Sequence, residues 1–569
     1  MSRNKSLKIM DDWLGILKFC SIILLRFSGI CKKLLAKWKS VNKTGLVWQS
    51  APSDDNDRPR APPGKRCAVI GAGASGLPSA RWALEYGFEP VVFELTNEVG
   101  GMWCYKPEKS ELPCVMKSTV INSSKEMTAL SDFPPPAEFA NFMHNTVLHR
   151  YFRLYARHHK LYEHIRFNHR VEQVRRAPDY NETGRWVVDY ITPLVFLGFR
   201  SFFKPINFLF SAMAPKHKKF STQFWLVPGI ITVRIGQRHG QVGIGNSGVD
   251  VAVEQSGVAK ETYLSTRRGA WIFHKVGQYG RPFDFSFNRR LISYVKKLFP
   301  RSWFSWYIHN KLNQRFDHAK YGLKPKHDVW CQQPTINETI SCRIMSGALA
   351  IKPNIKSFTE HGIVWDDGTV TEHVDNVVLC TGFLTAFPLL ENGTLVPVKN
   401  NELSTLYKFT WPANLAAHNT LAVIGNMHPI GSIMPISEMQ ARVFFDVLVG
   451  RTKLPSESEM FADIHKKRAA INSRYIKSLR HTVQVDFVDF MDELGDMIGC
   501  APYPSRLFLI SPRLMWRSIF GQVTSYQYRV FGPHAWSGAV EAALGAEERV
   551  DRCMITRYSR RRSSILDAA

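Results

Sequence analysis

The chain has 569 residues, with 74 Lys and Arg against 48 Asp and Glu, a formal net charge of +26. Hydrophobic residues make up 45% and aromatics 12%, which excludes collagen-like, low-complexity and wholly disordered chains and leaves material for several packed domains. Ten Cys diluted through that length, with no CxxC pair, exclude a disulfide mini-scaffold and read as reduced thiols. The charge admits nucleic acid or an anionic membrane surface as partner. Nucleic acid is set aside, because no basic stripe interleaved with aromatics stands on a recognisable module.

Residues 1–50 carry ten Lys and Arg and two Asp, a net of +8. Their apolar stretch, 13–31, is interrupted by Lys18 and Arg26, so its longest uncharged run, 19–25, falls far short of the ~20 residues that span a bilayer. Neither a clean apolar segment nor a small-residue cleavage site marks a signal peptide. Trp, Phe, Ile and Leu between cations suit an interfacial membrane helix, and a solvated extension suits them equally. A Pro- and charge-rich linker fills 51–64.

Residues 65–105 hold the most informative block. An apolar run at 67–70 suits a buried parallel strand; Gly71, Gly73 and Gly76 then form G-x-G-x-x-G, and 77–86 reads as a helix closed by Gly87. A second apolar strand, 90–93, ends at Glu94, 23 residues after Gly71. The first glycine permits a tight turn, the second lets backbone amides approach a pyrophosphate, and the third lets helix and strand pack closely. The helix N-terminus favours the diphosphate charge. An acid at the end of the second strand accepts hydrogen bonds from ribose hydroxyls, which points to FAD or NAD(H). Gly100-Gly101-Met102-Trp103, shortly after that acid, favours FAD.

The spacing recurs at Gly243, Gly245 and Gly248, followed by a plausible helix, a strand at 261–266 and then Arg267 and Arg268. A guanidinium in that place clamps a ribose 2′-phosphate, so this site is expected to take NADPH. Two arginines on a surface turn can equally be solvated. The residues before Gly243, RIGQRHGQV, are poor in aliphatics, so the strand that should support this loop is not evident. Two nucleotide sites imply electrons passing from a nicotinamide to a flavin, the work of an oxidoreductase.

The blocks GAGASGL at 71–77, FELTNEVGGMW at 93–103, NSSKEM at 122–127, GIGNSGVDVAVE at 243–254, VVLCTGF at 377–383 and LAVIGNMHPIGSIMPISEMQAR at 421–442 occur in the order of one known family. In them the chain resembles a flavin-containing monooxygenase. The resemblance implies an α/β fold of two Rossmann-like dinucleotide-binding domains with a helical C-terminal region. It places FAD on Gly71, Ala72, Gly73, Ala74, Ser75 and Gly76 with Glu94, Met102 and Trp103, and sets Asn122 and Ser123 beside the flavin ring. NADPH would touch Ile121, Asn122, Ser247, Val249 and Asp250. The implied activity is oxygenation of nucleophilic N or S atoms of an amine or thioether by O2 through a flavin C4a-hydroperoxide. Asn122 is the candidate catalytic side chain, its plainer reading being a helix or turn cap. An endoplasmic reticulum location, at a membrane surface on the cytosolic face, is expected with it.

The expected organisation is a basic extension and linker at 1–64, the first part of an FAD domain at 65–190, an NADPH domain at 243–375, an FAD-domain return at 376–455 and a helical region at 456–569. Residues 191–242 stand apart: seven Lys and Arg, no acid, and an aromatic-rich stretch at 196–210 without strand or helix period. A misassigned exon boundary, a local frame shift and a divergent membrane-docking insert each account for such a block. On the last account the chain is a catalytically impaired flavoprotein or a membrane-associated scaffold of the same fold. A flavin-dependent disulfide reductase is excluded by the missing Cys pair. A Baeyer–Villiger-type monooxygenase is closer, but NSSKEM favours N or S oxygenation.

Overall fold

The computed structural model describes residues 60–107, 113–192, 201–202, 208–212, 238–382 and 384–555, all within one unit, Arg58–Ala569. The basic extension 1–50 lies outside the described residues. Nine strands build the two nucleotide-binding sheets: β1 Arg66–Ile70, β2 Glu89–Phe93, β3 Ile165–Arg166, β4 Phe208–Ala212, β5 Arg238–Val242, β6 Glu261–Ser265, β7 Ala350–Lys352, β8 Asn376–Leu379 and β9 Leu421–Ile424. The helices that matter for the sites are α1 Gly76–Glu85, α2 Asn145–His158, α3 Asn246–Gln255, α4 Ile433–Leu448 and α5 Glu457–Arg474.

The first sheet has the order β9-β4-β1-β2-β3, with every neighbouring pair parallel. Cys67, Ala68 and Val69 of β1 are fully buried, as befits a strand covered on both faces. α1 packs on it through Leu77, Ala80, Trp82 and Ala83. α4 lies almost wholly buried and is tied to α1 by polar contacts as well as packing: Trp82 Nε1 donates to Glu438 Oε1 (3.2 Å) and the Tyr86 hydroxyl to Asp446 Oδ1 (3.0 Å).

The aromatic-rich stretch 196–210, which shows no strand or helix period, nevertheless runs into a strand, β4. FLFSA pairs with β1 from Cys67↔Phe208 to Ile70↔Ser211 and with β9 from Leu421↔Leu209 to Ile424↔Ala212. The physical reason is that a central strand of a parallel sheet, covered on both faces, is a continuous apolar run and carries no period of two.

The second sheet has the order β7-β6-β5-β8, again all parallel. The strand that was not evident before Gly243 is β5, RHGQV, hydrogen-bonded to β6 on one side and β8 on the other. Its ladder is made by backbone groups, which every residue but proline carries, and its neighbours supply the apolar side chains. A small core of Ile244, Val249, Ala252, Leu264, Ala270 and Ile272 lies in this fold.

An antiparallel sheet of Arg170–Arg176, Trp186–Ile191 and Ser201–Phe202 follows β3. Helices Phe487–Met497, Pro504–Ile510, Pro512–Phe520 and Ala539–Arg552 occupy the C-terminal part. The described cysteines are all free thiols. Among the described residues no helix is long and apolar enough to cross a membrane.

Candidate active site

The chain leaves β1 at Gly71 with φ +94°, a left-handed turn, and the Gly71 N–H donates to the Phe93 carbonyl (2.8 Å). A Cβ on Gly76 would stand 1.8 Å from the Gly71 carbonyl oxygen, so α1 starts closer to the turn than any side chain permits. Glu94 is buried, and three donors fix its carboxylate: the Ala72 N–H on Oε2 (2.7 Å), and the Thr96 N–H and hydroxyl on Oε1 (2.8 Å each). The Gly100 N–H donates to the Ala72 carbonyl (2.9 Å), which brings the Gly-Gly-Met-Trp turn against the first glycine loop. Within it Met102 is exposed and Trp103 half-buried, while Ala74 and Ser75 are half-buried on the loop itself.

A third segment converges there, although none of its residues was singled out from the sequence as part of the site. After β9, a Cβ on Gly425 would lie 2.2 Å from Ser75 Oγ and 2.9 Å from Ser437 Oγ, the hydroxyls of the loop and of α4, and Ser75 donates to Ser437 (3.2 Å). The neighbouring Asn426 amide nitrogen is buried without a partner. The signal was an apolar run, LAVI, ending in Gly-Asn.

The 121–128 block forms the second part. Ile121 is buried, and the buried Asn122 Oδ1 has no hydrogen-bond partner. Asn122 is not a cap: the N-cap of the short helix Lys125–Thr128 is Ser124. Ser123 Oγ hydrogen-bonds Thr128 Oγ1 (2.8 Å). Lys125 is buried and donates to the Ala137 and Phe139 carbonyls (2.7 and 2.8 Å), while buried Glu126 takes a two-pronged contact from Arg549 (2.8 Å each). The Ser124 N–H donates to Asp284 Oδ2 (2.6 Å); burial pushes that carboxyl up to about 6, against the hydrogen bonds that favour its charge. Asp284 was invisible as a site residue because 160 positions separate it from Ser124.

The second glycine loop repeats the geometry of the first. Gly243 has φ +114°, and a Cβ on Gly248 would stand 1.9 Å from its carbonyl oxygen. Gly245 is the N-cap of α3, Ser247 is exposed and Val249 is fully buried. The Asp250 carboxyl, pushed up by burial, accepts from Asn337 Nδ2 (2.9 Å). Lys275 reaches from this fold to the first, its ammonium donating to the Val120 carbonyl (3.3 Å); burial lowers its pKa, against the pull of Asp250 and Glu338. Arg267 and Arg268 are exposed just past the end of β6.

A buried acceptor without a donor at Asn122 and a buried donor without an acceptor at Asn426, the latter beside the first glycine loop, fit a bound, hydrogen-bonding cofactor. The two parallel sheets, each opening its first turn with three glycines, define a protein with two dinucleotide-binding folds.

The sequence profile of the family described as "Flavin-binding monooxygenase-like" matches residues 64–193 and 213–569. The chain is 41% identical over 514 residues to "Flavin-containing monooxygenase 5" of Rattus norvegicus, covering 88% of this chain and 95% of that protein. It is 37% identical over 508 residues to "Dimethylaniline monooxygenase [N-oxide-forming] 2" of Macaca mulatta, covering 87% and 94%. The fold is similar to the crystal structure of the OTEMO complex with FAD and NADP (TM-score 0.53, 16% identity, 74% of this chain and 95% of that one). The chain belongs to the flavin-binding monooxygenase-like family and is a flavin-dependent oxidoreductase. The match also narrows the segment that stood apart, from 191–242 to 194–212, and β4 lies inside what remains.

Proposed function

We propose that this monooxygenase uses NADPH and O2 to oxygenate nucleophilic nitrogen or sulfur atoms of small amines and thioethers, with FAD on the first glycine loop. One observation carries the reading: two loops of the same geometry end differently, the first at buried Glu94, the second at exposed Arg267 and Arg268. A carboxylate suits a ribose with free hydroxyls, and a guanidinium suits a 2′-phosphate, hence FAD on one and NADPH on the other. The N-oxide-forming relative and the fold neighbour holding FAD and NADP support it.

Bound FAD supplies the redox chemistry, taking a hydride from NADPH and activating O2. The chain's own groups bind and shield. The amides of residues 71–76 and the α1 N-terminus hold the flavin diphosphate, with Met102 and Trp103 alongside. Ile121, Asn122 and Ser123 would border the bound rings, where the Asn122 Oδ1, which has no partner among the described residues, would be available to accept a hydrogen bond from the nicotinamide cofactor. Gly243, Gly245, Ser247, Gly248, Val249 and Asp250 hold the second dinucleotide. Oxygen transfer demands little proton movement by side chains, so the protein's main task is to exclude water.

The test is direct. The purified protein should be yellow with flavin and should oxidise NADPH faster when a tertiary amine or thioether is added, with the N- or S-oxide accumulating. Colourless protein would overturn the assignment. Flavin without NADPH oxidation would support an impaired flavoprotein, the alternative suggested by residues 194–212 lying outside the family match.

Membrane contact on the cytosolic face of the endoplasmic reticulum belongs to the same proposal. Phe508, Leu509, Ile510 and Trp516 are exposed near exposed Arg513, apolar side chains with a cation beside them. Flotation with anionic vesicles should weaken in Leu509→Ser combined with Trp516→Ser; unchanged flotation would remove this surface from the account.

A further inference from the structure

Arg480 lies in the segment between α5 and the strand Gln484–Asp486, about 230 residues from the second glycine loop in sequence yet against it in space. Its Nη1 stands 3.4 Å from where a Cβ on Gly245, the N-cap of α3, would be. Its Nε and Nη2 stand 3.1 and 3.2 Å from the corresponding point on Gly382, just beyond β8. The guanidinium therefore lies in a gap that two glycines keep open, at the start of a helix whose first amides are unsatisfied.

Its hydrogen bonding is thin for so enclosed a cation. Nη2 donates to the Cys380 carbonyl (3.3 Å), and no carboxylate among the described residues lies within ion-pair distance. Its charged neighbour is instead Arg267, which, after burial, pulls its pKa below the usual range. Arg267 likewise has no acidic partner among the described residues. Other enclosed arginines are better supplied: Arg81 meets Asp132, Arg290 meets Asp492 and, six residues before Arg480, Arg474 meets Asp486, while Arg442, which has no acid within ion-pair distance among the described residues, donates to both the Tyr528 and Pro533 carbonyls (3.0 and 3.2 Å). The backbone around Arg480 is meanwhile pinned, its carbonyl accepting from Gln484 Nε2 (3.1 Å) and its N–H donating to Ser478 Oγ (3.3 Å). Two like-charged guanidiniums near one another without an acid repel, and an anion bound between or upon them relieves that repulsion.

We propose that Arg480 is a phosphate-binding residue of the second dinucleotide site, and that it takes the pyrophosphate while Arg267 takes the 2′-phosphate. The inference rests on the NADPH reading above. The division follows from position: Arg480 stands over Gly245, where a glycine loop presents its amides to the diphosphate, and Arg267 stands past the end of β6, where the ribose falls. A segment from the C-terminal third of the chain thus completes a site whose other parts come from one Rossmann-like fold.

The experiment is equilibrium binding of NADP+ and of NAD+ to the oxidised, flavin-loaded full-length enzyme, by titration calorimetry. Arg480→Ala should weaken both nucleotides by the same factor, about tenfold to a hundredfold for a charge-assisted contact. Arg267→Ala should weaken NADP+ by a similar factor and leave NAD+ unchanged. Arg480→Lys, which keeps a point charge, should recover part of the loss, and its flavin absorbance reports that the fold is intact should the alanine variant not fold. Wild-type affinity in Arg480→Ala would overturn the proposal, and a loss confined to NADP+ would overturn the pyrophosphate assignment. A wild-type enzyme that binds flavin but neither nucleotide would strike the NADPH reading itself and take this inference with it.

Discussion

The two glycine loops are built alike and supported unlike. Their first glycines have φ of +94° and +114°, and their third glycines would bring a Cβ to 1.8 and 1.9 Å from the carbonyl oxygen of the first. The strands before them could hardly differ more, RCAVI with its middle fully buried against RHGQV. The turn is therefore made by the glycines and by backbone pairing of the preceding strand on both sides, which is independent of side-chain polarity. What polarity does decide is the core. The first fold joins an apolar cluster that runs through α1, α2, β9 and α4, while the second has its own small one. The second loop has less burial to draw on and should be the easier of the two to disturb.

The largest expected effect separates the loops directly. Gly76→Ala drives a methyl group into backbone that cannot give way, so flavin should be lost on purification, with destabilisation at or above the upper end of the ~1–3 kcal/mol typical of overpacking. Flavin absorbance measures it. Gly248→Ala makes the same clash in the second fold. Here flavin should be retained while NADP+ affinity falls by at least about tenfold, read by titration. Flavin loss in Gly248→Ala as well would break the comparison, because the two folds would then stand or fall together.

How much of this was legible in the sequence follows from the same contrast. The first site was readable in one stretch, because its strand, glycines, helix and acid lie within 65–105 and each leaves its own mark. Arg267 and Arg268 were readable by their place after a strand. β4 and β5 were not: FLFSA lacks alternation and RHGQV has a single apolar residue, Val242, and only their partners on either side make them strands. Asn122 stood out through the resemblance alone; the fold adds that it caps nothing and leaves a buried oxygen free. Gly425, Ser437, Asp284 and Arg480 could not be found by spacing, since each meets its partner across a hundred or more residues.

A middle-sized effect sharpens the difference in support. The NSSKEM block beside the first fold is fastened from the C-terminal helix Ala539–Arg552, where Arg549 grips fully buried Glu126 and the Tyr526 hydroxyl adds a third contact (3.1 Å). Glu126→Ala leaves that guanidinium unmatched, which should cost about 3–5 kcal/mol in denaturant unfolding. Flavin retention should suffer, while the NADP+ affinity of the remaining loaded enzyme should not change. An equal fall in both would mean that the C-terminal helix steadies the two sites together.

The smallest effect concerns Asp284, which lies in sequence between β6 and β7 of the second fold but is bonded to Ser124 of the first. Burial raises its carboxyl from the ordinary 3.8 to about 6, and its Oδ1 is buried without a partner. Below about pH 4 the group is protonated in both folded and unfolded chains, and it contributes no pH dependence. Between about pH 4 and 6 the unfolded chain ionises while the folded one keeps its proton, so stability falls as pH rises through this window and stays at the lower level above it. The expected loss is at most about 3 kcal/mol. Asp284→Asn keeps an acceptor for the Ser124 N–H and removes the titration, so the variant should be no more stable than wild type at pH 4 and more stable at pH 7. The quantity to follow is the difference between the two proteins' unfolding free energies from pH 4 to 7, which cancels the other titrating groups. A difference that stays flat would mean that the carboxyl is ionised in the folded protein, held so by the Ser124 amide, and that the seam between the two folds carries a buried charge.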